Sequence, residues 1–340
     1  CAARAHGRTV GMVAYLARRL IYMVVLLVLV SMLSFAIIEL PPGDYVTTYI
    51  SNLRTTGTQQ TVGDDQADAI RHQFNLDKPL PLRYFSWITN LAQGDMGYSM
   101  QWNKPVNQLI GESIMLTVIV SLATLLFTWI VAIPIGIYSA THQYSPLDYV
   151  ITFIAFLGLA VPSFLLALVL AYFAYTVTGR SILGLFSPEY QGAPWSIGKV
   201  IDLAKHMGLP IIIIGSAGTA GLVRVLRATL LDELGKLYVV SARAKGLSEF
   251  RLLMKYPVRM AINPLISTIA WMFPAIISGS ILTSVVLDLP MTGPLFLRAL
   301  QAQDMYLAAS FVMLLSVLTV IGMFVSDLLL AWSDPRIRFE

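Results

Sequence analysis

The sequence predicts an all-α polytopic membrane protein with about six transmembrane helices. Hydrophobic residues make up 56% of the 340-residue chain and charged residues only 12%, whereas a soluble domain carries about a quarter charged residues. Mean hydropathy is +0.71. Several apolar runs also reach the ~20 residues that a helix needs to cross about 30 Å of hydrocarbon. The chain therefore has too few charges to cover a soluble globule and enough apolar length to cross a membrane repeatedly.

Six apolar segments are long enough to be predicted as membrane spans. They are residues 20–40, 114–140, 147–177, 209–231, 262–287 and 306–332. Pro134, Pro162 and Pro274 fall inside spans, where we expect kinks whose freed carbonyls are satisfied by neighbouring helices. The third span is long enough to be tilted, or broken at Pro162.

The distribution of basic residues predicts that both termini are cytoplasmic. Lys and Arg concentrate before the first span and between Arg224 and Arg259, while the opposite loops carry fewer over a greater length. Short cytoplasmic loops are enriched in Lys and Arg. We therefore interpret the net charge of +4 as a signal of membrane orientation and not of nucleic-acid binding.

Residues 41–108 form a long polar segment that this topology places outside, together with a second loop at 179–207. Within the first, "DDQADAIRHQF" is typical of a short helix that starts at Asp, and "LPLRYFSWITNLAQGD" of an amphipathic helix that ends near Gly94. We divide the chain into three parts. They are an N-terminus with the first span (1–40), an external, periplasmic-side segment (41–108), and a core transmembrane domain (109–340) with a cytoplasmic loop at about 232–261.

The sequence lacks the motifs that catalysis or nucleotide binding would require. No G-x-x-x-x-G-K-[ST] loop is present to cradle a phosphate. The four histidines are scattered without metal-ligand spacing, and Cys1 is the single cysteine, so it cannot form an internal disulfide. We predict a non-catalytic chain with no metal site and no cofactor of its own.

Two other classes of membrane protein are weighed against the residues inside the spans. An ion-coupled secondary transporter usually needs several buried ionisable groups, and Asp327 is the one acid well inside a predicted span. A membrane-embedded enzyme is less favoured still, because no nucleophile or acid–base constellation is present. The small-residue run "GSAGTAG" at 215–221 favours close helix packing over a flexible pore-lining site.

A basic stretch, "LYVVSARAKGLSEFRLLMKYPVRMAINPL" at 237–265, lies between two apolar spans. It predicts two short helices, the first over 232–245 with Gly246 as its C-terminal stop. Ser248 is positioned to cap the second, which should end at Tyr256 because a proline follows. The residues alone leave two interpretations open: a helix that docks into another protein, or a surface helix attracted to anionic lipid.

The segment "SARAKGLSEFRLLMKYPVRMAINP" resembles the cytoplasmic EAA loop of ABC-importer permeases, most closely those of the dipeptide/oligopeptide family. In that family a glycine, here Gly246, lies within the loop, and a proline, here Pro264, starts the next span. Other matching segments are "PPGD" at 41–44, "FNLDKPLPLRYFSWITNLAQGDMGYSM" at 74–100, "VPSFLLAL" at 161–168, "MTGPLFLRALQAQDM" at 291–305 and "SDPRIRFE" at 333–340. These segments cover nearly the whole chain in the family's order, and they imply the type I ABC-importer permease fold.

The resemblance implies that the loop forms a coupling helix that sits in a cleft of a cytoplasmic ATPase. By position, the residues with this role are Ser241, Ala242, Arg243, Ala244, Lys245, Gly246, Leu247, Ser248 and Glu249. The chain departs from the general motif at Val240-Ser241-Ala242, where Glu-Ala-Ala is usual, and at Pro257, where a helix-forming residue is usual.

The resemblance also implies partners, a substrate class and a location. The partners are a second homologous permease subunit, one or two kinds of ABC ATPase subunit that bind ATP and Mg, an extracytoplasmic solute-binding protein and membrane lipid. The chain would form half of an ATP-driven import pathway in the inner membrane of a bacterium or archaeon. Peptides are the expected substrate, and oligosaccharides or other solutes are the alternative because the 179–207 loop is long.

Overall fold

A computed structural model describes residues 2–40, 43, 45–48, 50, 64–74, 76–179 and 183–333. The helices are α1 (Ala2–Glu39), α2 (Asp64–Gln73), α3 (Leu80–Ala92), α4 (Val106–Thr141), α5 (Pro146–Ala160), α6 (Ser163–Thr178), α7 (Ile197–His206), α8 (Gly208–Leu234), α9 (Leu237–Ala244), α10 (Glu249–Lys255), α11 (Pro257–Val286), α12 (Thr292–Gln301) and α13 (Met305–Ser333). Strands β1 (Tyr98–Ser99) and β2 (Lys104–Pro105) form a short antiparallel hairpin. The predicted all-α class is confirmed.

The apolar helices agree closely with the predicted spans. Within the described residues, four helices are long and apolar enough to cross a membrane alone: α1 from Ala17, α4, α8 and α13 up to Leu329. Two bent pairs raise the number to six if each is one span. They are α5 with α6, at 106°, and Glu249–Ile269 with Trp271–Val286, at 50°.

The prolines inside the spans have different effects. Val161 has an extended backbone and separates α5 from α6. This conformation is expected because Pro162 follows, and the proline ring disfavours helical backbone in the residue before it. The 50° bend in α11 falls at residue 270. Pro274 lies four residues later, and a proline ring inside a helix clashes with the carbonyl four residues before it. By contrast, α4 continues through Pro134 as one helix.

The chain divides into two compact units, and the first contains residues 1–115 and 291–320. Phe35 of α1 packs on Tyr84 and Trp87 of α3, with ring centroids 5.5 Å apart in both cases. The two helices predicted within residues 41–108 are confirmed as α2 and α3, and Gly94 takes a positive φ of 88° just after α3. The "PPGD" and "SDPRIRFE" segments lie almost wholly outside the described residues.

Asp304 connects the β-hairpin to the start of α13 in this unit. Its carboxylate accepts hydrogen bonds from the Ser99 hydroxyl at 2.5 Å, the Gln101 N–H at 3.1 Å and the Leu307 N–H at 3.3 Å. Burial raises the pKa of Asp304 above its usual value, although these hydrogen bonds oppose the shift. One buried carboxylate thus joins segments that are about two hundred residues apart in sequence.

The second unit contains residues 116–290 and 321–340. In it α8 and α11 run antiparallel. Thr229, late in α8, lies 3.4 Å from the carbonyl of Ala261, early in α11, whereas Gly218, earlier in α8, lies against Met272, later in α11. Gly215 likewise lies against Thr128 of α4. Close packing, as expected for the small-residue run, is confirmed at these two glycines.

The α5–α6 pair passes from one end of this unit to the other. Near the start of α5, Asp148 pairs with Arg227 in the last part of α8 at 3.0 Å. Beyond α6, the Gly184 N–H donates to the Leu287 carbonyl at 2.9 Å, next to the last residue of α11. Since α8 and α11 are antiparallel, these contacts lie at opposite ends of the unit. This arrangement favours a single broken span over a re-entrant loop.

The second loop contains a helix, α7, that sequence reasoning did not predict. Its polar face is buried: Lys199 donates to the Ala193 carbonyl at 2.8 Å and lies 4.8 Å from the centre of the Trp195 ring. Burial alone would raise the pKa of Asp202. Two hydrogen bonds from Ser187, both 2.7 Å, oppose this effect and, with nearby positive charge, outweigh it, so the pKa is lower than usual. Ile197 is exposed instead, which reverses the usual amphipathic pattern.

Candidate coupling site

The basic loop between α8 and α11 contains two short helices, although the first differs from the predicted one. A single helix over 232–245 was expected, but α8 continues to Leu234 and α9 begins at Leu237. Lys236 has extended backbone, with ψ at 147°, which separates the two helices. The prediction of the start was therefore wrong.

Gly246 ends the first helical part of the loop as predicted. Its φ is +79°, and its N–H donates to the Arg243 carbonyl at 3.0 Å. Residues with a side chain adopt this left-handed conformation only at a cost. A Cβ added at Gly246 would meet no atom within 4 Å, so that cost arises from the backbone alone.

The second short helix, α10, is followed directly by the next span. Ser248 occupies the N-cap position, but its hydroxyl makes no capping hydrogen bond. Helix α10 ends at Lys255, and Pro257 is the first residue of α11, a position at which a missing N–H has no cost. The end near Tyr256 is confirmed within one residue. Pro264, which was expected to start the span, lies inside α11, so the helix itself begins seven residues earlier at Pro257.

A small apolar core holds α9 against α10. Val239 and Leu252 are fully buried and Ala242 almost so, with Leu247 and Tyr256 packed against them. Ala242 therefore lies beneath the loop and not on its outer surface. The remaining predicted residues are exposed: Ser241, Arg243, Ala244, Lys245, Gly246, Ser248 and Glu249.

Arg243 and Glu249 form an ion pair across the Gly246 turn. Arg243 donates from Nε to Oε1 at 2.6 Å and from Nη2 to Oε2 at 3.1 Å. The hydrogen bond to Glu249 raises the pKa of the Arg243 guanidinium. Their side chains remain 51% and 67% exposed, so this pair lies on the surface of the loop and both partners are accessible to another molecule.

Exposed apolar side chains accompany these charges, and sequence reasoning missed them. Leu237 is 83% exposed, Val240 51%, Phe250 74% and Met254 45%. Phe250 and Met254 are four residues apart on α10 and thus share a face; this spacing was the available signal. Exposed large apolar groups beside cations are typical of protein-contact surfaces.

Two polar contacts to Glu233 link the start of α9 to the end of α8. The Tyr238 hydroxyl donates to Glu233, and Lys236 pairs with the same carboxylate at 2.5 Å. Burial and the neighbouring Glu233 raise the pKa of Tyr238 to about 12, so the phenol keeps its proton at any physiological pH.

Comparison with known proteins gives consistent matches along the chain. The family model of the binding-protein-dependent transport system inner membrane component matches residues 132–339, and the model of its N-terminal part matches residues 12–123. The oligopeptide transport system permease protein AppB of Bacillus subtilis is 31% identical over 96% of this chain and 100% of its own. A putative peptide permease protein of Brucella suis (31%) and the oligopeptide permease OppB of Mycobacterium bovis (29%) each match over 96% of this chain and 99% of their own.

Proposed function

Since the chain belongs to the family of inner-membrane components of binding-protein-dependent transport systems, the permease subunits of ABC importers, we propose that it forms half of an ATP-driven translocation pathway for peptides. The family match makes it a multi-pass inner-membrane transport protein. Peptide as substrate is supported by relatives that are named as oligopeptide permeases and match over nearly their whole length. Oligosaccharides remain the alternative substrate class.

The loop from Leu237 to Pro257 is the proposed docking element for a cytoplasmic ATPase. The observation that carries this proposal is a loop with a core of its own whose outer face combines exposed Phe250 with exposed Arg243. Only a difference in docking free energy between open and closed ATPases can shift the spans between inward and outward access. The hydrogen bond from Tyr238 to Glu233 links the start of α9 to the end of α8.

The proposed topology has both termini in the cytoplasm and six spans. It is supported by the concentration of Lys and Arg around the loop and by the passage of α5–α6 from end to end of its unit. A cysteine at Gln191, an exposed position, should react with an impermeant thiol reagent from outside, and a cysteine at Ser248 should not. Gln59, also expected outside, lies beyond the described residues. Labelling at Ser248 from outside would contradict this topology.

The proposed partners follow from the family and from what the chain lacks. One or two kinds of ATPase subunit would bind ATP and Mg, because this chain has no phosphate-cradling loop. A second permease subunit would complete the pathway. A solute-binding protein would dock on the external segment at 41–108. Nucleotide turnover by the purified chain alone would contradict this division of roles.

Uptake into proteoliposomes tests the function as a whole. With the partner subunits and the binding protein present, labelled oligopeptide should accumulate in an ATP-dependent, vanadate-sensitive way, and unlabelled peptide but not oligosaccharide should compete. Accumulation driven by an ion gradient without ATP would favour the secondary-transporter alternative and overturn the proposal.

A further inference from the structure

A groove of about 180 Å³ lies along the seam between α5 and α8. Its walls are mostly apolar and include Ala155, Phe156, Leu159 and Val223, while Arg224 and Arg227 line it at one end. An adjoining groove of about 260 Å³ shares Ala155 and Val223 and is almost wholly apolar. The apolar walls of the first groove form an apolar track that ends at the two arginines.

The cationic end has hydrogen-bond donors without partners among the described residues. Arg227 pairs with Asp148 at 3.0 Å through Nη2, but its Nε is buried without a partner among the described residues. Asp148 is fully engaged, because it also accepts from the Ser139 hydroxyl and the Tyr144 N–H. Arg224 is exposed and forms no ion pair within the described residues. The site therefore has two guanidinium groups for one carboxylate.

Arg227 and Arg224 lie four and seven residues inside the cytoplasmic end of the predicted span 209–231, which is about 6 and 10 Å along a helix. Long arginine side chains near a span end extend toward the interface, so their guanidinium groups can reach the level of a lipid headgroup. Asp148 lies in the first turn of α5. The apolar track extends from there toward the middle of both helices, where Phe153 and Leu157 of α5 are also exposed and suit contact with hydrocarbon.

We propose that this seam binds one anionic phospholipid, with its phosphate at Arg224 and Arg227 and an acyl chain along the apolar track. Arginine forks match phosphate oxygens, and a site with excess positive charge favours a lipid whose headgroup is negative overall over a zwitterionic one. The lipid would fill the seam by which α5 packs against α8, the helix that leads to the coupling loop. This site goes beyond the proposed function and depends on it only for which leaflet is involved.

The test is native mass spectrometry of the chain with its partner subunits, extracted from nanodiscs that hold equal amounts of phosphatidylglycerol and phosphatidylcholine with identical acyl chains. The wild type should retain one phosphatidylglycerol in preference to phosphatidylcholine. Arg224→Gln should weaken that retention about fivefold, since one basic side chain near a membrane surface contributes ~1 kcal/mol. Leu159→Trp, which fills the apolar part and leaves both arginines, should weaken it as well.

Arg251→Gln is the matched control, because Arg251 is an exposed arginine of the coupling loop that lies outside the groove. Retention should be unchanged in this variant. An equal loss in both arginine variants would indicate general surface charge and overturn the site. Displacement by glycerol phosphate as readily as by the whole lipid would also overturn it, as would photo-crosslinking from position 159 to the second permease subunit. Co-purification of the ATPase should be normal in Arg224→Gln, so failure here is distinguishable from failure of the coupling assignment.

Discussion

Each unit contains an arginine–glutamate ion pair, and the two pairs differ in burial. Arg83 donates to Glu39 at 2.6 and 2.9 Å, and these side chains are only 10% and 16% exposed. Arg243 and Glu249 make the same two-pronged contact but are 51% and 67% exposed. The buried pair holds α1 to α3 and cannot lose one partner without leaving a buried charge. The surface pair contributes little to stability, so either side chain can leave its partner and bind a charged group of another protein at little cost.

The apolar groups near the two pairs differ in the same way. Around Arg83, Phe35, Tyr84 and Trp87 pack on one another inside the first unit. Beside Arg243, Phe250 and Leu237 are exposed, although the core of Val239, Ala242 and Leu252 already stabilises the loop. The comparison teaches that the outer face of the loop is not needed to fold the loop, which supports its assignment to docking.

The largest expected effect is on the buried pair. Glu39→Gln should lower the free energy of unfolding by about 3–5 kcal/mol, because Arg83 would keep its charge in a buried site. The midpoint of thermal unfolding in detergent, followed by tryptophan fluorescence, measures it. Glu249→Gln is the matched control and should hardly change the midpoint. Equal shifts in both variants would remove the contrast between the pairs.

The second effect is on the turn of the coupling loop. Gly246→Trp forces a side chain into positive φ at a cost of ~1 kcal/mol or more, and should reduce co-purification of the ATPase or uncouple hydrolysis from transport. Gly94→Trp is the control, because Gly94 has φ +88° and equally open surroundings. Both variants should insert normally in the membrane. Unchanged co-purification and unchanged substrate-stimulated hydrolysis in Gly246→Trp would contradict the coupling assignment.

The third effect isolates an exposed apolar residue. Phe250→Ala should weaken ATPase binding about tenfold, since truncation of an aromatic anchor in an interface typically costs more than ~1 kcal/mol, and should leave the thermal midpoint unchanged. Phe153→Ala removes a similarly exposed phenylalanine from α5 and should leave binding unaffected. Titration of the ATPase onto nanodisc-embedded complexes measures both. Equal affinity in the two variants would exclude Phe250 from the interface.

The smallest effect concerns charge on the loop. Arg243→Glu places two acids side by side and should slow ATPase association, most clearly at low salt, because exposed interfacial charges act mainly on the association rate. Arg243→Gln should have a weaker effect of the same sign. A rate that is independent of salt in all three proteins would place Arg243 outside the docking surface.

Much of the fold could be predicted from sequence because each span is a continuous apolar run. The observed helices begin and end within a few residues of the predicted spans, apart from the starts of α1 at Ala2, α4 at Val106 and α11 at Pro257. The break at Val161 also followed from local chemistry. Helix α7 was missed although the sequence signals it, because Ser196 is an N-cap and Ile197, Val200 and Ile201 share one face. That the opposite face, with Lys199 and Asp202, is the buried one depends on tertiary packing.

Of the candidate site, only the residues that end or start its helices were predictable from sequence. Gly246 and Pro257 act through rules that depend on adjacent residues alone. The burial of Ala242 and the exposure of Phe250 depend on how α9 packs against α10, which no local rule specifies. The Asp148–Arg227 pair joins residues 79 apart, a distance at which a single sequence carries no pairing signal.

Cysteine protection tests most directly the claim that the loop docks an ATPase. In a Cys1→Ser background, single cysteines at Ser248 and at Gln143, an exposed position in the turn between α4 and α5, would be labelled from the cytoplasmic side of membrane vesicles with and without the ATPase. We predict that the ATPase slows labelling at position 248 at least tenfold and leaves position 143 reactive. Equal labelling rates at position 248 with and without bound ATPase would contradict the account.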